Sequence, residues 1–263
     1  MRRIGPNIEI VESLNEGGTA SIYLGVNTWS GRPVAIKELK SDFFKNDYVR
    51  GKFIEEANQY LYLNHPNIVR LIDFIDEKSA QYLVMEYVDG QNLFEYQRNV
   101  TGPMPVSMAA LLISEVLLAL QYAHEKNVVH LDIKPANIML SNNNEVKVLD
   151  FGISQDMNGK KSEKLMGSPS YMSPEQIDSR DIDHRSDIYS LGVTLYELIT
   201  GRVPYDDVQS REELFHAIRL KPVPSIGRDH AINRIIAKST AKRKEERFQS
   251  CDEFRNSLIP LID

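Results

Sequence analysis

His130-Leu-Asp-Ile-Lys-Pro-Ala-Asn137, followed by Leu149-Asp-Phe-Gly152, sets a carboxylate, a lysine, an amide and a second carboxylate in a fixed order. Any one of these is ordinary in a turn, where Asp and Asn bend chains and cap helices. The ordered set carries more. Asp132 can orient a hydroxyl and accept its proton, and Lys134 can neutralise charge on a phosphoryl group in transfer. Asn137 with Asp150 can hold magnesium through hard oxygen ligands. The intervening residues read as two short strands, Asn137 to Leu140 and Glu145 to Leu149, around a Ser-Asn-Asn-Asn turn. A hairpin there would fix catalytic side chains at its ends.

Working outward, the chain before Tyr87 alternates in short runs: Ile8-Glu-Ile-Val-Glu-Ser-Leu, Ser21-Ile-Tyr-Leu, Pro33-Val-Ala-Ile-Lys and Gln81-Tyr-Leu-Val-Met. These predict half-buried strands. One amphipathic helix interrupts them, predicted from Asp47 to Leu63, with Phe53, Ala57, Tyr60 and Leu61 on one face and Lys52, Glu55 and Asn58 on another. Val88-Asp-Gly-Gln-Asn is a turn-rich joint, and beyond it the helical period dominates, in Ser107 to Lys126 and Arg185 to Thr200. Ser154 to Ser170 has little periodicity and reads as a mobile loop. The expectation is an α+β protein, with a small antiparallel β lobe carrying one helix and a larger, mainly α-helical lobe sharing a cleft with it.

Two features of the first lobe bear on nucleotide chemistry. Leu14-Asn-Glu-Gly-Gly-Thr-Ala-Ser-Ile-Tyr23 lies between two strand patterns, where Asn15, Glu16, Gly17 and Gly18 form a small-residue turn. Such a turn lets backbone N–H groups approach phosphate oxygens, and a plain hairpin turn explains it equally well. Val34-Ala-Ile-Lys37 puts a lysine on an otherwise apolar strand, either as a surface residue or as a cation for phosphates. A helix carboxylate, Glu56, stands where an ion pair would fix that ammonium group, and Glu55, one residue earlier, is the competing candidate.

Together these motifs resemble the eukaryotic-type (Hanks-type) protein kinases, specifically their Ser/Thr branch as found in bacteria. The resemblance covers nearly the whole chain and implies a single bilobal kinase domain over residues 1–263, divided as 1–87 and 88–263. It further implies ATP with Mg²⁺, or Mn²⁺ in its place, and protein substrates with Ser/Thr acceptors. By the same resemblance Asp132 is the catalytic base, assisted by Lys134, with Asn137 and Asp150 as metal ligands. Tyr82-Leu-Val-Met-Glu-Tyr-Val88 looks like the hinge, where backbone groups of Glu86 and Val88 bond adenine, Met85 guards the pocket behind it, and Ile22, Ala35 and Met139 sandwich the ring. Gly167-Ser-Pro-Ser-Tyr-Met-Ser-Pro-Glu175 looks like the segment that seats the substrate peptide. Ser168 then stands where the family has a threonine, Glu175 pairs with Arg247, and Asp187 braces the backbone around His130.

Two departures qualify the resemblance. Only Gly17 of the usual G-x-G-x-x-G is present, with Asn15 and Ala20 in the outer positions. Leu131 replaces the arginine that would clamp a phosphorylated loop, giving HLD in place of HRD. Autophosphorylation within Ser154 to Ser170 has acceptors in Ser162, Ser168 and Ser170, yet activity is not expected to depend on it. The competing readings are a pseudokinase scaffold that binds nucleotide or partner proteins without transfer, and a kinase of a small metabolite, which would have no need of the peptide-seating segment.

Bulk properties narrow the class further. With 37 acidic against 31 basic residues the net charge is −6, so no overall positive field favours nucleic acid. Cys251 is the single cysteine and Met1-Arg-Arg is followed by no apolar leader core, which suggests a reducing, cytoplasmic setting. Met108 to Leu120 is interrupted by Ser114 and Glu115 and reads as too short to span a bilayer. His65, His124, His184, His216 and His230 show no metal spacing and read as structural or exposed.

Overall fold

The computed structural model describes residues 2–151, 169–228 and 230–262. Its contacts divide the chain into two compact units, residues 1–89 and 90–263.

The first unit is a six-stranded antiparallel sheet in the order β1-β2-β3-β4-β6-β5. The strands are β1 (Arg2–Ile4), β2 (Ile8–Glu16), β3 (Ala20–Asn27), β4 (Pro33–Leu39), β5 (Leu71–Glu77) and β6 (Ala80–Glu86). Alternation sorts the side chains. Ile8, Ile10, Val34, Ile36, Tyr82 and Val84 turn to one face and bury together with Ile4, while Ala35 and Lys37 turn to the other. Two strands lie outside the sequence reading. β1 is only three residues, cut off by Gly5-Pro6, and β5 slips register between Leu71 and Asp73, which breaks the period-2 pattern that would announce it.

Two helices occupy this unit, where one was expected. A single turn, α1 (Ser41–Phe44), precedes α2 (Asp47–Tyr60), whose N-terminus is capped by the Asn46 side chain accepting from the N–H groups of Tyr48 and Val49. The predicted continuation to Leu63 does not form. The Leu61 N–H bonds the carbonyls of Ala57 and Gln59, tightening the last turn before Asn64-His65-Pro66. The buried face is Phe53, Glu56, Ala57 and Tyr60; Leu61, placed on it by periodicity, is 71% exposed.

The second unit is mainly helical. Its elements are β7 (Gly90–Asn92), α3 (Leu93–Tyr96), α4 (Val106–Glu125), β8 (Ile138–Ser141), β9 (Val146–Val148), α5 (Pro174–Asp178), α6 (Arg185–Thr200), α7 (Arg211–Leu220), α8 (His230–Ser239) and α9 (Cys251–Leu258). The predicted hairpin is present as β8 and β9, joined by a turn in which Ser141 Oγ accepts from Asn143 and Glu145. By length and apolar composition α4 would suffice to cross a membrane, contrary to the sequence estimate. Its burial explains the composition instead, since it packs against α6 and α9 with Ile113, Val116, Leu117 and Leu120 fully buried.

Every residue of α6 from Ser186 to Ile199 is buried, including five polar ones. Each has a partner: Ser186 and Ser190 reach Glu175 and the Tyr171 carbonyl, Thr194 its own helix, Glu197 the Tyr171 hydroxyl, and Asp187 the backbone before Asp132. Gly192 lets α8 approach α6. A Cβ there would stand 2.8 Å from Thr240 Cγ2 and 2.9 Å from Ser239 Cβ. Gly192→Ala is expected to lower unfolding stability by about 1–3 kcal/mol through overpacking, read as a lower urea midpoint at unchanged slope.

Candidate active site

In the first unit, Ile22 pairs across the sheet with Lys37, and Ala35 with Met85. Cross-strand partners share a face, so Ile22, Ala35, Lys37 and Met85 line the side opposite the aliphatic cluster. The Lys37 Nζ lies 2.6 Å from Glu56 Oε1, both side chains nearly buried, and Glu55 pairs instead with Lys52 at 2.8 Å. Asn15 and Glu16 end β2 opposite Ile22 and Ser21, and the Gly17 N–H closes the hairpin on the Ala20 carbonyl. Gly18 faces open space. The Glu86 N–H donates to the Arg70 carbonyl, while Val88 is half-buried beyond the strand.

In the second unit the segment from His130 to Asn137 is held from behind. Asp187, at the start of α6, accepts the N–H of His130 at 2.9 Å and of Leu131 at 2.7 Å, and takes the His124 ring on Oδ2 at 2.8 Å. Burial pushes this carboxyl up, but the His124 ring and the His130 N–H outweigh it and hold it below the usual carboxylate range. Leu131 has φ 65°, a conformation that costs an L-residue about 1 kcal/mol. The two backbone bonds offset this cost, Asp187 taking its N–H and the Gln176 amide its carbonyl at 2.8 Å.

His130 then sets the next step of the chain. Its Nδ1 accepts the Asp132 N–H at 3.2 Å, so the ring proton sits on Nε2 and donates to the Leu149 carbonyl at 2.7 Å. The Leu149 N–H in turn bonds the Asn137 carbonyl at 2.9 Å, tying the two halves of the motif together. Phe151 packs edge-on against the same imidazole at 4.7 Å.

These contacts converge on Asp132. Its Oδ2 accepts from Lys134 Nζ at 2.7 Å and from Asn137 Nδ2 at 3.0 Å, and the same amide nitrogen bonds the Asp132 carbonyl at 2.8 Å. With its nitrogen so committed, the Asn137 amide has its oxygen as the atom for a hard cation. Asp150 follows at φ 55°, and Met139 is half-buried on β8 between Asn92 and Lys147. Among the described residues no group of three or more His, Cys, Asp or Glu could cage a metal. One amide and one carboxylate nonetheless suit Mg²⁺, which typically takes its other ligands from phosphates and water.

The segment from Pro169 to Asp178 is anchored to the same helix. Ser173 and Gln176 form a reciprocal cap on α5, and the Tyr171 hydroxyl donates to Glu197 at 2.6 Å. Glu175 receives two bonds from Arg247, at 2.6 and 2.8 Å, and one from Ser186 at 2.6 Å. Gly152, Ser162, Gly167 and Ser168 lie outside the described residues, as does the Ser154 to Ser170 segment apart from Pro169 and Ser170.

Residues 8–259 match the protein kinase domain family. The chain belongs to the protein kinase family. Its two units are the small β lobe and the large helical lobe of the bilobal kinase fold. The kinase domain is 36% identical to a probable serine/threonine-protein kinase of Streptomyces coelicolor, over 100% of this chain and 41% of the relative. It is 35% identical to the serine/threonine-protein kinase PknB of Mycobacterium leprae, over 95% and 42%, and 33% identical to PrkC of Bacillus subtilis, over 100% and 41%. The chain thus spans about two-fifths of the length of these curated relatives.

Sequence reasoning missed the polar supports of this candidate site. Gln176, His124 and the Tyr171–Glu197 pair act across 45, 63 and 26 residues of chain. Cys251, buried at the start of α9, sits 3.5 Å from His124 Nδ1, with its thiol pushed well up by burial, so the S–H is the donor. No local pattern announces such partners. The available signal was His124 itself, a polar residue on the otherwise apolar face of α4.

Proposed function

We propose that this chain transfers the γ-phosphoryl group of Mg-ATP to Ser or Thr hydroxyls of protein substrates, with Asp132 as catalytic base. The observation that carries this reading is the Asp132 carboxylate, fixed on one oxygen by Lys134 and Asn137 and supported from behind by Asp187 through His130. Kinship with the serine/threonine kinases of three bacteria supports the choice of acceptor.

In this reading the substrate hydroxyl oxygen attacks the γ-phosphorus, its proton passes to Asp132, and the bond to the bridging oxygen of ADP breaks. Lys134 stays beside the carboxylate to offset charge on the phosphoryl group. Lys37, steadied by Glu56, holds the nucleotide phosphates, with Asn15 to Gly18 covering them. Because the Glu86 N–H is given to Arg70, the part of Glu86 in adenine recognition falls to its carbonyl, with Val88 beside it. Ile22, Ala35, Met85 and Met139 supply the apolar surface for the ring. Asn137 and Asp150 would hold Mg²⁺, which when bound neutralises phosphate charge.

Label transfer from γ-labelled ATP to a generic basic protein tests the proposal. Chelation with EDTA should abolish transfer, and Asp150→Ala should slow it about a thousandfold, several kcal/mol of barrier. Full transfer without divalent metal would contradict the assignment of Asn137 and Asp150.

We further propose that activity does not depend on loop phosphorylation. Leu131 is apolar and 7% exposed, so it offers no cation to a phosphate. Phosphatase treatment, or Ser162→Ala, should therefore leave the rate on a peptide substrate within about twofold, well under the cost of a lost charge-assisted contact. A collapse in rate would show that another cation does the clamping.

A further inference from the structure

α9 sets Cys251, the single cysteine of the chain, against the end of α4. Ser250 caps α9 by accepting the Glu253 N–H, which fixes Cys251 as the first helical residue, and its side chain is fully buried. There its Sγ lies 3.5 Å from Nδ1 of His124, a residue of the last turn of α4 and 127 positions away in sequence. The other ring nitrogen, Nε2, lies 2.8 Å from Asp187 Oδ2. The neighbouring His184 ring, 5.4 Å from that of His124 between centroids, is turned to the Gln249 carbonyl through its own Nε2.

The order of donors is set at Asp187. Its carboxylate only accepts, so His124 Nε2 carries a proton. A ring with that one proton has a lone pair on Nδ1, and the facing thiol supplies the matching donor. The Oδ2 that takes the His124 proton also takes the His130 N–H at 2.9 Å, while Oδ1 takes the Leu131 N–H at 2.7 Å. With the ring proton on Nδ1 instead, a nitrogen lone pair would face Oδ2 at hydrogen-bond distance. The carboxylate would turn away, and both backbone bonds ahead of Asp132 would be disturbed with it.

We propose that Cys251 is a positioning residue for phosphoryl transfer: its thiol holds His124 in the Nε2–H tautomer that keeps Asp187, and through it the backbone leading to Asp132, in place. The thiol acts only through other residues, from His124 to Asp187 to the His130 N–H, and from the His130 ring to the Asp132 N–H. Its effect on rate rests on the kinase reading above; its effect on the His124 tautomer does not.

Long-range ¹H–¹⁵N spectra of the full chain, labelled at its histidine nitrogens and assigned with His124→Gln, read the tautomer at neutral pH without turnover. The native ring should carry one proton, on Nε2; a proton on Nδ1, alone or as well, overturns the proposal. Cys251→Ala removes the donor, so His124 should leave the single Nε2–H form. Its kcat should fall about two- to tenfold, the range for one lost hydrogen bond, with KM for ATP unchanged. Cys251→Ser returns a donor and should restore both the tautomer and most of kcat, which a role in packing alone would not do. Unchanged kcat in a folded Cys251→Ala, or a serine variant no faster than the alanine one, overturns the proposal. If Cys251→Ala does not fold, the native spectrum and the serine variant decide: a serine variant that loses the Nε2–H form, or keeps it with less than a tenth of native kcat, overturns it too. A native chain with the Nε2–H ring and no phosphoryl transfer would overturn the kinase reading and leave the tautomer assignment standing.

Discussion

Asp132→Asn should lower kcat by about 10²- to 10⁴-fold, the range for loss of a general base, with KM for ATP nearly unchanged. The substitution keeps the shape of the side chain but removes its capacity to take a proton. The bond from Asn137 to the residue 132 carbonyl survives, as do those from Asp187 to the His130 and Leu131 N–H groups. The fold should therefore be retained, and the thermal midpoint should move by only a degree or two, as for a change well below 1 kcal/mol. Lys134 loses its anionic partner at 2.7 Å, so some of the loss will come from its displacement. Lys134→Ala alongside Asp132→Asn separates the two. If both residues act as one unit, the double variant should be scarcely slower than the slower single one.

Arg247→Ala should cost about 3–5 kcal/mol of unfolding stability, the range for removing one partner of a buried ion pair. The Arg247 side chain is fully buried and makes a two-pronged contact with Glu175. Its remaining donors go to the carbonyls of Ala241, Arg185 and Lys242. Truncation leaves one carboxylate and three carbonyls without those donors. The pH dependence should also change sign. In the native protein burial pushes the Glu175 carboxyl up, but Arg247 and then Ser186 pull it further down, so it sits below its ordinary 4.5. Its stabilising contribution is thus present above that value and is lost as pH falls through the folded one. In Arg247→Ala burial is opposed only by Ser186 and the Glu175 backbone N–H, and the carboxyl moves above its ordinary value. That contribution is then greatest at low pH and lost as pH rises. Urea midpoints between pH 4 and 7 should show the deficit of the variant narrowing on acidification.

Much of this was legible because it is written locally. α6 begins and ends where its apolar period does, and the hairpin after Asn137 follows from its polar turn. Lys37 and Glu56 needed only a strand and a helix of recognisable period, although the choice over Glu55 came from the resemblance. Tertiary packing hid the rest. Leu61 is apolar, yet α2 closes at Tyr60 and leaves it in water. β5 is disguised by a register slip, and β1 is a three-residue edge strand beside β2. Beyond Thr200 the legible signal lies in α8, whose Ile232, Ile235 and Ile236 carry the spacing of a buried stripe. Within the site, sequence pointed to Asp132, Asn137 and Asp150 but not to Gln176, His124 or Cys251. Those act through contacts between distant parts of the chain, for which a single sequence holds no pattern.

The central claim, transfer of phosphate from Mg-ATP to Ser or Thr with Asp132 as base, is tested most directly by phosphosite mapping. The chain and its Asp132→Asn variant are incubated with Mg-ATP and an acceptor protein, and modified residues are located by mass spectrometry. Phosphoserine and phosphothreonine are expected with the native chain and nearly none with the variant. Nucleotide binding without any phosphorylated residue, or equal phosphorylation by both proteins, would contradict it.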